Sequence, residues 1–100
     1  MMTINEWSDA TTMAEAVQNK TVSPRELVET TIREAERTNP KINAIVSQRY
    51  EKALKEAETR DFSERPFAGV PIFLKDLGQE QAGEPSTAGS RLFTSYRATE

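Results

Sequence analysis

Cysteine and histidine are both absent from these 100 residues. Their absence excludes disulfides, a thiol nucleophile, an imidazole general base and a zinc site of the usual nitrogen-and-sulfur kind within the chain. No stretch approaches the roughly 20 apolar residues that cross a bilayer. The opening Met1-Met2-Thr3-Ile4-Asn5-Glu6-Trp7 has neither a basic region nor an apolar segment, so no secretory signal is expected. A dominant charge is also missing. Thirteen Lys and Arg are interleaved with sixteen Asp and Glu, and no basic stripe marks a nucleic-acid surface. There is no internal repeat and no low-complexity tract. Apolar residues are scarce, at 36%, and a chain this short and polar struggles to offset its ordering entropy by burial. The expectation is a soluble, cytoplasmic chain without cofactor, nucleic-acid partner or membrane. It is either a marginal domain or part of something larger.

What is present begins with helix patterns. Ala10, Met13, Ala14 and Val17 recur at i, i+3, i+4 and i+7, which predicts a short helix over about 9–19, capped by Ser8 or Asp9. Ser23-Pro24-Arg25-Glu26 is a clear helix start. It places a capping serine, a proline at the first helical position and a glutamate three residues after the cap. Leu27, Val28, Thr31, Ile32 and Ala35 form the stripe to be buried, and Asn39-Pro40 is expected to end the helix. Ile42, Ala44 and Val46 alternate with polar residues and predict a short strand over 42–48, although Ile45 spoils a strict period. Tyr50, Ala53, Leu54 and Ala57 return to helical spacing over about 49–59.

After Arg60 the character changes. Residues 61–66 are a polar connection, and 70–74 are an unbroken apolar run, Val70-Pro71-Ile72-Phe73-Leu74. Such a run predicts a strand buried on both faces, with Pro71 confining its pairing to an edge or to the strand start. Residues 78–90 are rich in Gly, Pro, Ser, Thr and Gln, without periodicity. A loop of that length serves a function or packs against further structure. The last residues, from Tyr96, show no capped helix and no paired strand.

Lys75 is the candidate for chemistry, because the apolar run would deliver its ammonium to the end of a buried sheet. Desolvation lowers a lysine's pKa and so makes it usable as a general base near neutrality. The competing reading is that Lys75 and Asp76 only mark where a strand meets water. A phosphate cradle at 83–90 has weak support, since neither Gly-Lys-Ser/Thr nor Gly-x-Gly-x-x-Gly follows a strand there.

The wider pattern decides between them. Phe67-Ala68-Gly69-Val70-Pro71-Ile72-Phe73-Leu74-Lys75-Asp76 is followed by Gly83-Glu84-Pro85-Ser86-Thr87-Ala88-Gly89-Ser90-Arg91-Leu92-Phe93. Together these resemble the first conserved block of the amidase-signature enzymes. Ser23-Pro24-Arg25-Glu26-Leu27-Val28 and Asn39-Pro40-Lys41-Ile42-Asn43-Ala44 resemble that family's second helix and the turn into its first strand. The likeness covers about residues 9–93. It implies an α/β fold, in which about three helices over 9–60 precede the first strands of the family's mixed sheet, all within one truncated domain over 1–100. It further implies a Ser–cis-Ser–Lys mechanism with Lys75 as its lysine. The two serines belong to a later Gly/Ser-rich block, so the fragment alone is expected to be inactive. Asp76 would be an orienting partner, and Thr87, Gly89 and Ser90 would form a loop that shapes the site. Ser86 and Ser90 are read as structural, and Arg91 as a surface or interface charge.

Family members act on aliphatic, aryl, peptide and fatty amides, and one branch works on misacylated tRNA. Leu77-Gly78-Gln79 and the run from Pro85 to Leu92 resemble the broad bacterial amidases, the 6-aminohexanoate cyclic-amide type among them. The expected partner is therefore a small amide substrate of the parent enzyme. Apolar faces left without partners would make the fragment self-associate. An alternative from another class is a stand-alone helical interaction module. It accounts for the three helices but leaves the apolar run and the Ser/Gly loop unexplained.

Overall fold

A computed structural model describes residues 5, 7–61 and 64–99. The first helix, α1, spans Ala10–Gln18. It starts where the Asp9 carboxylate accepts the Thr12 N–H at 2.8 Å, satisfying a donor that the helix itself leaves unpaired. It ends in a Schellman arrangement. The Lys20 N–H reaches the Val17 carbonyl at 3.1 Å and the Thr21 N–H reaches that of Ala16 at 2.9 Å. Ala14 and Ala16 are buried, while Met13 and Val17 are half-buried.

The second helix, α2, spans Pro24–Ile42. Ser23 caps it as expected, its hydroxyl oxygen accepting the Glu26 N–H at 3.1 Å. Leu27, Val28 and Ala35 are buried, and Thr31 and Ile32 are half-buried, so the expected stripe faces inward. The expected stop at Asn39-Pro40 is corrected, because the helix runs through Pro40 to Ile42. Pro40 lies in the final turn, where a missing N–H forgoes only one intrahelical bond. The stop falls instead at Asn43, which takes a left-handed φ of 49° and donates its N–H to the Asn39 carbonyl at 2.6 Å. Asparagine tolerates that conformation better than most residues.

The strand expected over 42–48 is not formed. Ile42 belongs to α2, and residues 43–49 are irregular. The Asn39 side chain fixes their course by accepting the Ile45 N–H at 2.8 Å. The third helix, α3, spans Tyr50–Thr59 and packs on α2. Arg25, at the start of α2, pairs with Glu58, near the end of α3. The two helices therefore form an antiparallel hairpin.

Beyond α3 the Val70 N–H bonds the Phe67 carbonyl at 3.2 Å, closing a turn in which Gly69 has φ 84°. A Cβ built on Gly69 would sit 2.9 Å from Pro24 Cγ and 3.3 Å from Val17 Cγ1. The absent side chain is what lets this turn press against the start of α2.

The expected buried strand at 70–74 is also corrected, because no strand forms among the described residues. Ile72, Phe73 and Leu74 are 76%, 57% and 48% exposed. A strand exists only beside another, and no described segment runs alongside this one. The helical half of the α/β expectation is thus met, and the strands are not. Sheet pairing among the described residues is limited to an antiparallel bridge between Pro85 and Arg97. The Gly83 N–H to Ala98 O (2.8 Å) and Ala98 N–H to Glu84 O (3.1 Å) bonds flank it. The last residues, expected to be unpaired, are therefore tied back to the 78–90 loop. A single 3₁₀ turn, Arg91–Phe93, lies between the two bridge partners.

Candidate functional site

Lys75 follows the apolar run, and its side chain is exposed, not buried at a sheet end. Its backbone is fixed without a β-ladder, the Lys75 N–H donating to Gln79 Oε1 at 3.2 Å. That bond closes a short turn through Gly78.

Asp76 turns toward the other motif block. Its Oδ1 accepts the Thr87 N–H at 2.7 Å, and its Oδ2 accepts the Thr87 hydroxyl. The Thr87 hydroxyl and then the Thr87 N–H hold the Asp76 carboxyl below the usual carboxylate range. Desolvation opposes this, and the Gly89 and Ala88 N–H groups add smaller contributions that lower it further. Residues 87–90 form a tight turn closed by the Ser90 N–H on the Thr87 carbonyl at 2.8 Å. Both central residues have positive φ, 50° at Ala88 and 74° at Gly89, the pattern a type I′ turn requires. The Ser90 hydroxyl oxygen accepts the Leu92 N–H at 3.2 Å and so caps the 3₁₀ turn. Ser86 is buried, and Arg91 is exposed.

The structure thus brings Asp76, Thr87 and Gly89 together and holds Lys75 one residue away. A recess of about 240 Å³ opens beside the Asp76–Thr87 pair, with Ser47, Thr94 and Arg97 in its wall. A larger one of about 310 Å³ lies at the corner of α2 and α3, against Ala35, Asn39 and Tyr50. Lys75 lines neither. The smaller one touches Asp76 and Thr87, and the larger does not. Ser47 and Arg97 were not singled out from sequence, and Gln79 was named only within the Leu77-Gly78-Gln79 run, without its contact to Lys75. Gln79 carried a usable signal, an amide one turn beyond Lys75 and just after a glycine. Ser47 and Arg97 reach the recess only through the tertiary fold and carried none. Among the described residues no group of three or more acidic side chains is placed to hold a metal ion.

Comparison with known proteins agrees with the motif reading. A family model described as Amidase matches residues 26–100. The chain is 41% identical over 100 residues to the 6-aminohexanoate-cyclic-dimer hydrolase of Pseudomonas sp. (strain NK87), covering 98% of this chain and 20% of that protein. It is 42% identical over 77 residues to a lipoamidase of Enterococcus faecalis, covering 77% of this chain and 11% of that protein. The crystal structure of a bacterial aryl acylamidase of the amidase signature enzymes superposes with a TM-score of 0.74 at 33% identity, covering 93% of this chain and 20% of that one. The chain therefore spans about a fifth or less of the length of these relatives. Local motif, family model and backbone geometry agree: the chain belongs to the amidase family.

Proposed function

We propose that these residues form the N-terminal, lysine-bearing part of a single-domain hydrolase of small amides, with Lys75 as the base of a Ser–cis-Ser–Lys triad. The observation that carries this is the joining of two motif blocks. The Asp76 carboxylate, next to Lys75, is bonded to Thr87 at the head of the Thr87-Ala88-Gly89-Ser90 turn. The relatives' names support the reaction class, cleavage of carbon–nitrogen bonds in amides.

In the proposed chemistry Lys75 takes a proton relayed by a bridging serine, so that a second serine attacks the amide carbonyl. Backbone N–H donors stabilise the oxyanion. The amine leaves with a proton, and water then hydrolyses the acyl ester. Ser86 and Ser90 are not assigned as the triad serines, because Ser86 is buried and the Ser90 hydroxyl caps the 3₁₀ turn that follows it. Without those serines the 100 residues alone are proposed to be inactive, and to self-associate through their exposed apolar segments. Interleaved charge and the absence of long apolar runs support a cytoplasmic protein free of nucleic acid and membrane. The helical-module alternative leaves the family match over residues 26–100 unexplained.

The test is turnover of the natural full-length protein on 6-aminohexanoate cyclic dimer, an aryl anilide and a lipoyl amide. The outcome expected is cleavage of at least one, with Lys75→Ala lowering kcat about 1,000-fold or more while the fold is retained. A Lys75→Ala variant turning over at the wild-type rate would remove lysine from the mechanism. Amide cleavage by the 100 residues alone would contradict the placing of the nucleophile elsewhere.

A further inference from the structure

We propose that Asp76 is a positioning residue for Lys75. On this proposal it acts by latching the residue 87–90 turn to the lysine's backbone, and it rests on the amidase reading above. Two side chains fix the backbone on either side of the lysine. Gln79 accepts the Lys75 N–H, and Asp76 accepts both the N–H and the hydroxyl of Thr87. Consecutive Cα atoms lie about 3.8 Å apart. A shift of the turn relative to Asp76 therefore reaches the lysine's backbone within one residue.

The turn itself gives the second reason. Ala88 holds φ 50° without being glycine, a strained conformation that persists only where the surroundings over-determine it. Asp76 is that surrounding on one side, through Thr87. The Ser90 cap on Leu92 is its counterpart on the other. With both carboxylate oxygens occupied by the turn's donors, Asp76 is committed to the turn and not to proton transfer. Its effect on the reaction is geometric.

The experiment is a double-mutant cycle in the natural full-length protein, using Asp76→Ala, Thr87→Val and the two combined. Each single change is expected to lower kcat about 10- to 100-fold through misplacement of the lysine, with KM changed about twofold or less. The double variant should be no slower than the worse single. Asp76→Asn keeps an oxygen for the Thr87 N–H and should recover most of the rate, which also guards against simple misfolding. Hydrogen exchange of the Thr87 amide, read independently of turnover, should quicken in Asp76→Ala. Additive losses, or an unchanged Thr87 exchange rate, would overturn the latch. A fully active Asp76→Ala beside an inactive Lys75→Ala overturns this proposal alone. An active Lys75→Ala overturns the lysine reading and this one with it.

Discussion

Gly69 shows how a motif residue acquires a physical reason. In sequence it is one letter of Gly69-Val70-Pro71. In the structure it combines a left-handed φ of 84° with a neighbour, Pro24 Cγ, that a methyl group would meet at 2.9 Å. The neighbour is a rigid proline ring at the first position of α2, so it has no rotamer by which to yield. Gly69→Ala therefore adds backbone strain to a steric clash, and is expected to destabilise by about 2 kcal/mol or more. Denaturant unfolding of the wild type and the variant, with the m value held, measures this directly. An unchanged midpoint would show that the turn moves away from α2 at no cost. Asp76 teaches the complementary lesson. Its type and its place beside Lys75 were legible in the sequence, but its partner was not. Thr87 lies eleven residues on, and nothing local says that a carboxylate will spend both oxygens on that turn.

At the scale of elements, what was legible is what is local. The Ser23 cap, the Pro24 start and the spacing of Leu27, Val28 and Ala35 are decided within a few residues, and α2 follows them. Its end was misread because a proline stops a helix only where its missing donor matters, and in the last turn it matters little. The strands were misread for a different reason. An apolar run such as 70–74 states a demand for burial, and neighbouring chain must meet it.

The tie between α3 and the 78–90 loop makes a further prediction at this scale. Glu84 accepts from Lys52 Nζ at 2.6 Å and from Arg49 Nε at 3.3 Å. The Lys52 hydrogen bond first, and then Arg49, hold the Glu84 carboxyl below its ordinary value. Arg49 does the same to Glu56, at 2.7 Å. A carboxyl depressed in the folded state stabilises the fold above its unfolded value, near 4.3. That contribution disappears as the pH falls through the lower, folded value. The bridge at Pro85 and Arg97 should therefore loosen as the pH drops below about 4. Exchange of the Gly83 and Ala98 amides across that range reports it. Glu84→Gln should flatten the response, and an identical acid profile in that variant would remove the ion pairs from the explanation.

For the whole molecule the question is what covers its apolar surface. The buried apolar residues among those described are Ala14, Ala16, Leu27, Val28, Ala35, Ala57 and Ala98, which are mostly methyl groups. The larger side chains Ile72, Phe73, Leu77, Leu92 and Phe93 stay exposed. Each forfeits roughly half or more of the about 1.5–3 kcal/mol that full burial supplies. The radius of gyration agrees, at 14.9 Å against about 13 Å for a compact 100-residue chain. So inverted a distribution of size and burial does not stay solvated when cover is within reach. In the relatives these residues correspond to about a fifth of the protein or less. Made on their own, they can find cover only in one another. Sedimentation of the 100-residue polypeptide is therefore expected to show mass rising with concentration. Phe73→Glu together with Leu92→Lys should lower the self-affinity about tenfold or more, since each places a charge where an apolar contact would form. A strictly monomeric wild-type polypeptide, with the residue 70–74 amides protected from exchange, would mean that the segment satisfies its burial within one chain.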